Sequence, residues 1–320
     1  MERMRAAVIT GPRRLKIVET AKPEPQAGEV RIKVSGCGVC ASNLPLWQGR
    51  EYFKYPLPAG SPGHEVWGVV DKVGSNVTGF KEGNKVGVVS YNGFADYDMA
   101  PAICLARLDG RRNLEAFPAE PLGCAVNIFA RSEIKAGDKV AIIGIGFMGA
   151  LLTALISQNG NEVTAISRRD TCLETAKDCG AVNVIKMDDY RFAVKRADAI
   201  TCGMGFPVVI EAAGAQMALD IGTELCMVRG RLVVAGYHQD GLRSINMQKW
   251  NWKGLDVINA HERDQSIYMR GIRRAVELVE AGSIPLEKLL TNFYTLEELG
   301  GAFEDLESKP AGYIKGCMRI

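Results

Sequence analysis

The sequence KVAIIGIGFMGALLTALISQNGNEVTAISRR, residues 139–169, decides the fold of the chain. Its first five residues predict a buried strand, the glycine pattern GxGxxG follows, and an apolar helix and a second strand complete the unit. In such units the first glycine makes a tight turn, the second lets a pyrophosphate approach the backbone, and the third lets helix and strand pack closely. The helix N-terminus then faces the phosphate charge. The segment therefore predicts a unit that binds a dinucleotide.

The end of the second strand indicates which dinucleotide binds. An acidic residue there would bind the adenosine ribose diol of NAD, but this chain has Ser167, Arg168 and Arg169. A serine and guanidinium groups suit a 2′-phosphate, which arginine holds with paired hydrogen bonds. We therefore predict a preference for NADP over NAD. The alternative is that the arginines lie in a solvated loop and that Asp170 serves NAD. The predicted cofactor-binding residues are Gly144, Gly146, Phe147, Met148, Gly149, Ser167, Arg168 and Arg169.

The rest of the chain has two kinds of sequence. From Arg5 to about Val89, short β-rich runs alternate with turns rich in proline and glycine, which predicts an all-β or partly open barrel. After Pro121, strands and helices alternate, which predicts a parallel sheet covered by helices. The stretch from about Arg263 resembles neither part and could complete the barrel. The predicted fold class is α/β with two domains, which a length of 320 residues also favours.

The bulk composition excludes several classes of function. An apolar fraction of 47%, a charged fraction of 24% and a net charge of +2 are those of an ordinary globular protein. The basic residues are scattered, so nucleic-acid binding is not expected. No apolar run approaches the ~20 residues that span a bilayer, and the N-terminus has no signal-peptide core. Nine cysteines, an odd number, fit reduced thiols. We therefore expect a cytoplasmic protein that does not enter a membrane.

A candidate metal site lies in the β-rich half. Cys40 ends the motif GCGVC, residues 36–40, and His64 and Glu65 stand in the motif GHE, residues 63–65. A thiolate, an imidazole and a carboxylate can hold a catalytic zinc, which needs three or four protein ligands. Cys37 and Cys40 also form a CxxC pair. A redox pair of that kind belongs at a helix start, whereas this neighbourhood is predicted to be β-rich.

Together these motifs resemble the zinc-dependent medium-chain dehydrogenases/reductases, especially the alcohol and polyol branch that contains sorbitol dehydrogenase. The likeness covers nearly the whole chain. The following motifs occur in the family's order and spacing: MRAAV at 4–8, Pro23, GEV at 28–30, GVC at 38–40, GHE at 63–65, GVV at 68–70, VG at 73–74, Gly83, EPL at 120–122 and the glycine turn. The resemblance implies a GroES-like β-barrel catalytic domain at residues 1–121, a Rossmann cofactor domain with a doubly wound parallel sheet at 122–262, and a segment at 263–320 that completes the catalytic domain.

The resemblance also implies roles for single residues. Cys40 and His64 match the family's catalytic zinc ligands, and Glu65 matches an acid that is sometimes a direct ligand. Glu120 matches a position that is a glutamate in polyol dehydrogenases, and Ser42 matches the hydroxyl that passes the substrate proton outward. The implied metal ligands are therefore Cys40, His64, Glu65 and Glu120, with Cys124 as a rival for the last place. The implied catalytic residues are Cys40, Ser42 and His64.

The chain departs from the family pattern in three places. Asn43 stands where many relatives have an aspartate, and Pro45 stands where they have a histidine. Asn43 can accept a hydrogen bond from a ligand histidine but supplies no charge, and Pro45 cannot relay a proton. Many relatives bind a structural zinc through a lobe with four cysteines. This lobe is missing here, because Cys104 is the only cysteine in residues 86–105. We therefore expect one catalytic zinc per chain and no structural zinc.

The resemblance implies reversible hydride transfer between NADP and a secondary alcohol or polyol, which becomes a ketone. Two alternatives stay open: a zinc-free quinone or enoyl reductase on the same fold, and a non-catalytic sensor that binds NADP. The expected partner is a small-molecule alcohol, polyol or ketone. The resemblance to the family also implies a homodimer or homotetramer.

A few further side chains have two interpretations each. His238 follows the strand that lies beside the nicotinamide in the family, and His261 lies in the polar segment NAHER, residues 259–263. Each histidine either contacts substrate or cofactor or belongs to a solvated turn. The aromatic residues after Cys40 either line a substrate pocket or belong to the core; they are Trp47, Tyr52, Phe53 and Tyr55.

Overall fold

The structure of the chain is a computed structural model that describes residues 2–108, 110, 112 and 114–320. The chain divides into two compact units. The first consists of Met1–Gly123, Tyr268–Ala281 and Leu286–Ile320, and the second consists of Cys124–Ile267 and Gly282–Pro285. Within the described residues, no helix has both the length and the apolar character needed to cross a membrane.

The N-terminal part of the chain is built mainly from strands. Its alternating apolar and polar residues, interrupted by proline and glycine, favour pleated backbone over helix. A 3-10 turn at Ala41–Asn43 leads into a short helix. The elements are β1 (Arg3–Gly11), β2 (Arg14–Ala21), β3 (Glu29–Gly38), α1 (Leu44–Gln48), β4 (Glu65–Val73), β5 (Lys85–Val88), β6 (Tyr97–Pro101) and β7 (Leu105–Arg107).

The middle of the chain alternates helices with strands. The strands are near-continuous apolar runs, because both faces of a parallel sheet are covered by helices. The elements are α2 (Ala119–Ser132), β8 (Lys139–Ile143), α3 (Phe147–Gln158), β9 (Glu162–Ser167), α4 (Asp170–Asp178), β10 (Asn183–Lys186), α5 (Tyr190–Ile200), β11 (Phe206–Glu211), α6 (Gln216–Leu225), β12 (Cys226–Val234), α7 (Met247–Lys253) and β13 (Asp256–Asn259).

The strands of the second unit form a parallel sheet in the order β10-β9-β8-β11-β12-β13. The chain first builds outward from β8 to β10, and then crosses to β11 on the other side of β8. This reversal of strand order is the switch point of a doubly wound fold, where ligands bind at the carboxyl ends of the strands. The predicted α/β class and the predicted Rossmann sheet are confirmed.

The last part of the chain returns to the first unit. Its elements are α8 (Gln265–Glu280), α9 (Leu286–Leu289), β14 (Asn292–Tyr294), α10 (Leu299–Ser308) and β15 (Gly316–Arg319). Strand β15 pairs antiparallel with β3, so that the sheet has the order β14-β15-β3-β4-β5-β7, with β6 also paired to β3. Phe303 of α10 stacks on Trp47 at 5.0 Å between ring centroids and meets Phe94 edge-on. The C-terminal segment therefore supplies both a strand and core side chains to the barrel.

Two helices differ from the prediction. The sequence around residues 217–228 predicts a helix, but the observed helix α6 ends at Leu225, because Cys226 pairs with Phe206 of the neighbouring strand and begins β12. The other is α5, for which the sequence shows no clear helical pattern. The buried positions of that helix are Ala193 and Ala197, and such small side chains give only a weak apolar periodicity.

The glycine turn between β8 and α3 has the geometry that its residues predict. Gly144 has a φ of +96°, and a Cβ atom there would lie 2.7 Å from Ala213. A Cβ atom at Gly149 would lie 2.2 Å from the carbonyl oxygen of Gly144, so only glycine lets α3 approach the turn so closely. At Gly146, which precedes α3, a Cβ atom would meet nothing within 4 Å. The second glycine therefore leaves open space in front of the helix.

This difference predicts unequal effects of two alanine substitutions. Gly149→Ala should lower the free energy of unfolding by about 1–3 kcal/mol, because its methyl group collides with backbone that must shift. Gly146→Ala is the matched control, and it should not lower stability because its methyl group enters open space. The thermal unfolding midpoints of both variants, measured without cofactor, test this expectation. Equal midpoints would contradict the close packing of α3 on the turn.

Candidate metal and cofactor sites

Strand pairing in the first unit brings the predicted metal ligands together. Gly38 ends β3 and faces Glu65, the first residue of β4, across an antiparallel pair. Cys40 therefore lies two residues beyond the end of one strand, and His64 lies just before the start of the next. On the other side of β3, Cys317 faces Gly38, which brings Lys315 to the same place. Three strand ends thus meet at one point of the barrel.

Three ligand atoms converge there. The Sγ atom of Cys40, a ring nitrogen of His64 and a carboxylate oxygen of Glu65 all lie within 4.8 Å of one another. His64 Nδ1 lies 2.8 Å from the carbonyl oxygen of Pro62. A carbonyl oxygen only accepts hydrogen bonds, so Nδ1 carries the ring proton, and Nε2 of the neutral imidazole keeps its lone pair. That tautomer is the one a histidine ligand requires, and a set of sulfur, nitrogen and oxygen donors suits zinc.

Glu65 is the buried member of this group. Its side chain is fully buried, and a Cβ atom at Gly38 would lie 1.8 Å from its Oε2 atom, so glycine is required beneath the carboxylate. Lys315 Nζ donates to Glu65 Oε1 at 2.7 Å and to the carbonyl oxygen of Val39 at 3.1 Å. The ammonium also lies 2.5 Å from Oε2, but that oxygen accepts no well-directed hydrogen bond from any described residue. Both carboxylate oxygens of Glu65 therefore lie close to the Lys315 ammonium.

Burial and charge act in opposite directions on two groups in this site. Burial disfavours the imidazolium form of His64, but the sulfur of Cys40 and the carboxylates of Glu120 and Glu65 outweigh it and raise the pKa of His64 to about 10. Burial also disfavours the charged form of Lys315, yet the Glu65 carboxylate outweighs it, so the pKa of Lys315 is raised. The site therefore concentrates negative charge, and metal binding must release a proton from His64.

Two more predicted site residues lie beside the cluster. The hydroxyl group of Ser42 donates to Cys40 Sγ at 3.2 Å and lies 3.5 Å from His64 Nε2. Glu120, in the first turn of α2, is not a member of the converged group, as far as the described residues show. Its Oε1 atom accepts a hydrogen bond from the hydroxyl group of Tyr268, although its charge still acts on His64. The rival ligand Cys124 belongs to the second unit.

The structure contradicts the role suggested for Asn43. This residue is 3% exposed, and its Nδ2 atom has no hydrogen-bond partner among the described residues. The ring proton of His64 goes instead to the carbonyl oxygen of Pro62. The interpretation of Asn43 as the acceptor for a ligand histidine is therefore wrong, because a backbone carbonyl two residues before His64 already fills that role.

The aromatic residues after Cys40 belong mainly to the core. Trp47 is 2% exposed and stacks on Phe303, and Phe53 and Tyr55 pack against the same barrel core. Tyr52, by contrast, is 67% exposed. Trp47 therefore belongs to the core and does not line a substrate pocket.

In the second unit, the predicted ribose-binding residues follow β9. Ser167 is buried at the end of the strand, and its Oγ atom accepts a hydrogen bond from the backbone N–H of Arg169 at 3.5 Å. Arg168 is exposed, and Arg169 is half-buried. Asp170, the first residue of α4, accepts a hydrogen bond from Lys186. The carboxylate of Asp170 is therefore already paired with a cation.

The two remaining histidines have different surroundings. His238 uses both ring nitrogens within the protein: Nε2 lies 2.9 Å from Glu211 Oε2, and Nδ1 accepts a hydrogen bond from Arg243 Nε at 2.8 Å. His261 is exposed, and its Nε2 atom lies 3.3 Å from Arg263 Nη1. The ring nitrogens of His238 are therefore engaged, which opposes the interpretation of His238 as a hydrogen-bonding contact with substrate.

Sequence motifs do not identify two further residues of the candidate metal site, Lys315 and Tyr268. Lys315 pairs with a carboxylate 250 residues away, and no local motif marks it. One signal was present: Lys315 is the only charged residue within the otherwise apolar stretch YIKGCM, residues 313–318. A lysine within a buried strand needs a partner of opposite charge.

This buried pair predicts a stability test. Lys315→Met should lower the free energy of unfolding of the metal-free protein by about 3–5 kcal/mol, because it leaves the buried carboxylate of Glu65 without its cation. Adding Glu65→Gln should restore part of that loss. Lys288→Met removes an exposed lysine and should change stability by no more than about 0.5 kcal/mol. Urea unfolding of the three variants makes the measurement. A Lys315→Met variant as stable as the native chain would show that the ion pair contributes nothing.

Comparisons with known proteins give the family. The model of the alcohol dehydrogenase GroES-like domain matches residues 26–161, and the model of the zinc-binding dehydrogenase domain matches residues 144–277. Together these matches run from residue 26 to residue 277, which is more than half of the chain. Their order agrees with a barrel followed by a Rossmann sheet.

Relatives of similar length support the same assignment. The chain is 29% identical to 2-dehydro-3-deoxy-L-galactonate 5-dehydrogenase from Pseudoalteromonas atlantica, over 97% of each chain. It is 27% identical to sorbitol dehydrogenase from Halalkalibacterium halodurans, over 91% of this chain and 92% of the relative. The structure of a thermostable alcohol dehydrogenase from Pyrobaculum aerophilum is similar with a TM-score of 0.84, 26% identity and full coverage of both chains. As the sequence predicted, the chain belongs to the zinc-type medium-chain dehydrogenase/reductase family and is a dehydrogenase.

Proposed function

We propose that the chain transfers a hydride reversibly between NADP(H) and a secondary alcohol or polyol, with one zinc ion in the first unit and the dinucleotide on the second. The observation that carries this proposal is the convergence of Cys40, His64 and Glu65 within 4.8 Å, in a chain that also carries the complete glycine turn. The relatives are named for a sugar alcohol and for a sugar acid, which supports a substrate with several hydroxyl groups.

The residues of the first unit fit a catalytic zinc. Cys40 Sγ, His64 Nε2 and a carboxylate oxygen of Glu65 would hold it, since these ligand atoms converge and the histidine has the correct tautomer. Glu120 is the candidate for a fourth position and would have to exchange its hydrogen bond from Tyr268 for the metal. Cys104 alone stands where relatives have four cysteines, so one zinc per chain is proposed and no structural zinc.

The division of chemical roles follows from these positions. Zinc would polarise the substrate oxygen as a Lewis acid, and the nicotinamide would accept or return the hydride. Ser42 Oγ, which touches the side chains of both Cys40 and His64, would accept the proton of the substrate hydroxyl while it passes its own hydroxyl hydrogen onward. Pro45 and Asn43 offer no titratable group beyond it, so that hydrogen would pass to water. The glycine turn and the N-terminus of α3 would hold the pyrophosphate.

The choice of NADP is supported by the end of β9. Ser167, Arg168 and Arg169 supply hydrogen-bond donors and positive charge, as a 2′-phosphate requires. Asp170 would serve NAD in the alternative interpretation, but its carboxylate is paired with Lys186. This pairing favours NADP over NAD.

Metal content and cofactor binding together test the zinc site. Cys40→Ser and His64→Ala should each reduce zinc from one ion per chain to nearly none and abolish turnover, because each removes a ligand atom. Both should leave the dissociation constant for NADPH nearly unchanged, since they lie in the other unit. Cys202→Ser, which replaces an exposed cysteine, is the control that keeps its zinc. Zinc is measured by plasma mass spectrometry and NADPH binding by fluorescence.

Two outcomes would contradict this proposal in different ways. Native protein that turns over alcohols or quinones fully without zinc would favour the zinc-free reductase. Native protein that binds NADPH but oxidises no alcohol in a broad screen would favour the sensor. Glu120→Gln tests whether Glu120 binds the metal. Loss of zinc from this variant would identify Glu120 as a ligand, and retention of zinc would identify it as a charged neighbour of His64.

The ribose pocket is tested by the ratio of two affinities. Arg168→Ala and Arg169→Ala should each weaken the binding of NADPH by roughly tenfold or more, because a hydrogen bond to a charged group contributes about 1.5–3 kcal/mol. Neither substitution should weaken the binding of NADH as much, since NADH lacks the 2′-phosphate. Asp170→Asn is the matched control and should leave both affinities in place. Isothermal titration with both dinucleotides measures the two affinities. An unchanged ratio of the NADPH affinity to the NADH affinity would show that the arginines do not contact the phosphate.

A further inference from the structure

A buried polar network stands at the carboxyl edge of the parallel sheet, apart from the glycine turn and the ribose-binding residues. Its centre is Glu211, the last residue of β11, which is 0% exposed. Glu211 Oε1 accepts hydrogen bonds from the backbone N–H groups of Ala213 at 2.8 Å and Gly214 at 2.7 Å. Its Oε2 atom lies 2.9 Å from His238 Nε2. One carboxylate therefore joins the turn after β11 to the loop after β12.

Arg243 completes the network and determines the state of His238. Arg243 Nε lies 2.8 Å from His238 Nδ1, and a guanidinium group only donates hydrogen bonds. Nδ1 must therefore accept, and the single ring proton of His238 lies on Nε2, toward Glu211. Arg243 also donates through Nη2 to the carbonyl oxygen of Gly214 at 2.9 Å and to Asp240. Cation, neutral imidazole and carboxylate thus form one connected chain.

The two connected segments pack backbone against backbone. A Cβ atom at Gly236 would lie 2.3 Å from the backbone nitrogen of Gly214, and one at Gly214 would lie 2.7 Å from the carbonyl oxygen of Tyr237. The turn after β11 also packs against the glycine turn, since a Cβ atom at Gly144 would lie 2.7 Å from Ala213. The network therefore fixes main-chain groups that border the predicted pyrophosphate site.

The sheet order indicates which half of the cofactor these segments serve. A dinucleotide on a doubly wound sheet lies across the switch point, with its two nucleotides on opposite sides. The adenosine ribose is proposed at the end of β9, on one side of β8. Glu211 and His238 follow β11 and β12, which lie on the other side. The network is therefore on the nicotinamide side.

We propose that Glu211, His238 and Arg243 are positioning residues for the nicotinamide half of the cofactor. They hold the turn 212–214 and the loop 235–243 in the conformation that presents main-chain groups to the nicotinamide nucleotide. Preorganised loops lower the cost of ordering on binding, so the network contributes to affinity without touching the reacting atoms. This inference rests on the proposed function only in requiring that the second unit binds NADP(H).

The test compares a whole cofactor with its adenosine half. His238→Phe keeps a ring of similar size but removes both hydrogen bonds, and it should weaken NADPH binding by roughly tenfold through lost preorganisation. Binding of 2′,5′-ADP, which lacks the nicotinamide nucleotide, should stay unchanged. His238→Gln carries an amide that both donates and accepts, and it should restore part of the NADPH affinity. Arg243→Gln leaves the buried contact between Glu211 and His238 in place and should act in the same direction as His238→Phe, so it carries the test if that variant does not fold.

Isothermal titration of both ligands into the zinc-loaded protein separates the outcomes. A selective loss of NADPH affinity supports the network as a positioning device. An equal loss for both ligands, or no loss for either, overturns it and leaves the network with a purely structural role. Failure of the native chain to bind either ligand would instead overturn the proposed function itself.

Discussion

The buried ion pair between Lys315 and Glu65 is the interaction on which the geometry of the candidate metal site depends. Lys315 Nζ holds the Glu65 carboxylate at 2.7 Å and the Val39 carbonyl oxygen at 3.1 Å, so it ties β4 and the end of β3 to the start of β15. Both charged groups are almost fully removed from water, and such a pair is tolerated only where each charge finds its partner. Gly38 makes the arrangement possible, because any side chain there would collide with the carboxylate.

This constraint explains how two motifs far apart in the sequence come together and bring the three proposed metal ligands into one group. The pairing of Gly38 with Glu65 fixes Cys40 and His64 as neighbours, and a shift of one residue would turn Glu65 to the other face of the sheet. The sulfur of Cys40 and the carboxylates of Glu120 and Glu65 outweigh burial and raise the pKa of His64, so the surroundings of its ring favour a cation. Strand pairing and electrostatics therefore agree on the position proposed for zinc.

In the second unit, main-chain groups rather than charged side chains form the tightly packed region. Its glycine turn approaches the turn after β11 so closely that Gly144 tolerates no side chain, and Glu211 caps the backbone of that turn from inside the sheet. His238 and Arg243 then connect this carboxylate to the loop after β12. The predicted phosphate-binding turn and the neighbouring loops therefore share one packed cluster at the edge of the sheet.

The sequence alone determined the features whose residues are close together along the chain. The strand, glycine turn, helix and second strand at residues 139–169 form one continuous segment, so their periodicity and spacing identify the Rossmann unit before any tertiary contact is known. The motifs around Cys40 and His64 were likewise readable as a metal site. Only the tertiary structure decided which groups support these sites. Lys315, Tyr268, Arg243 and the Pro62 carbonyl oxygen gain their roles from strand pairing, from contacts between distant segments, or from the direction of a backbone carbonyl. Residue identity does not encode those directions, and so Asn43 was assigned a role that the backbone of Pro62 fills.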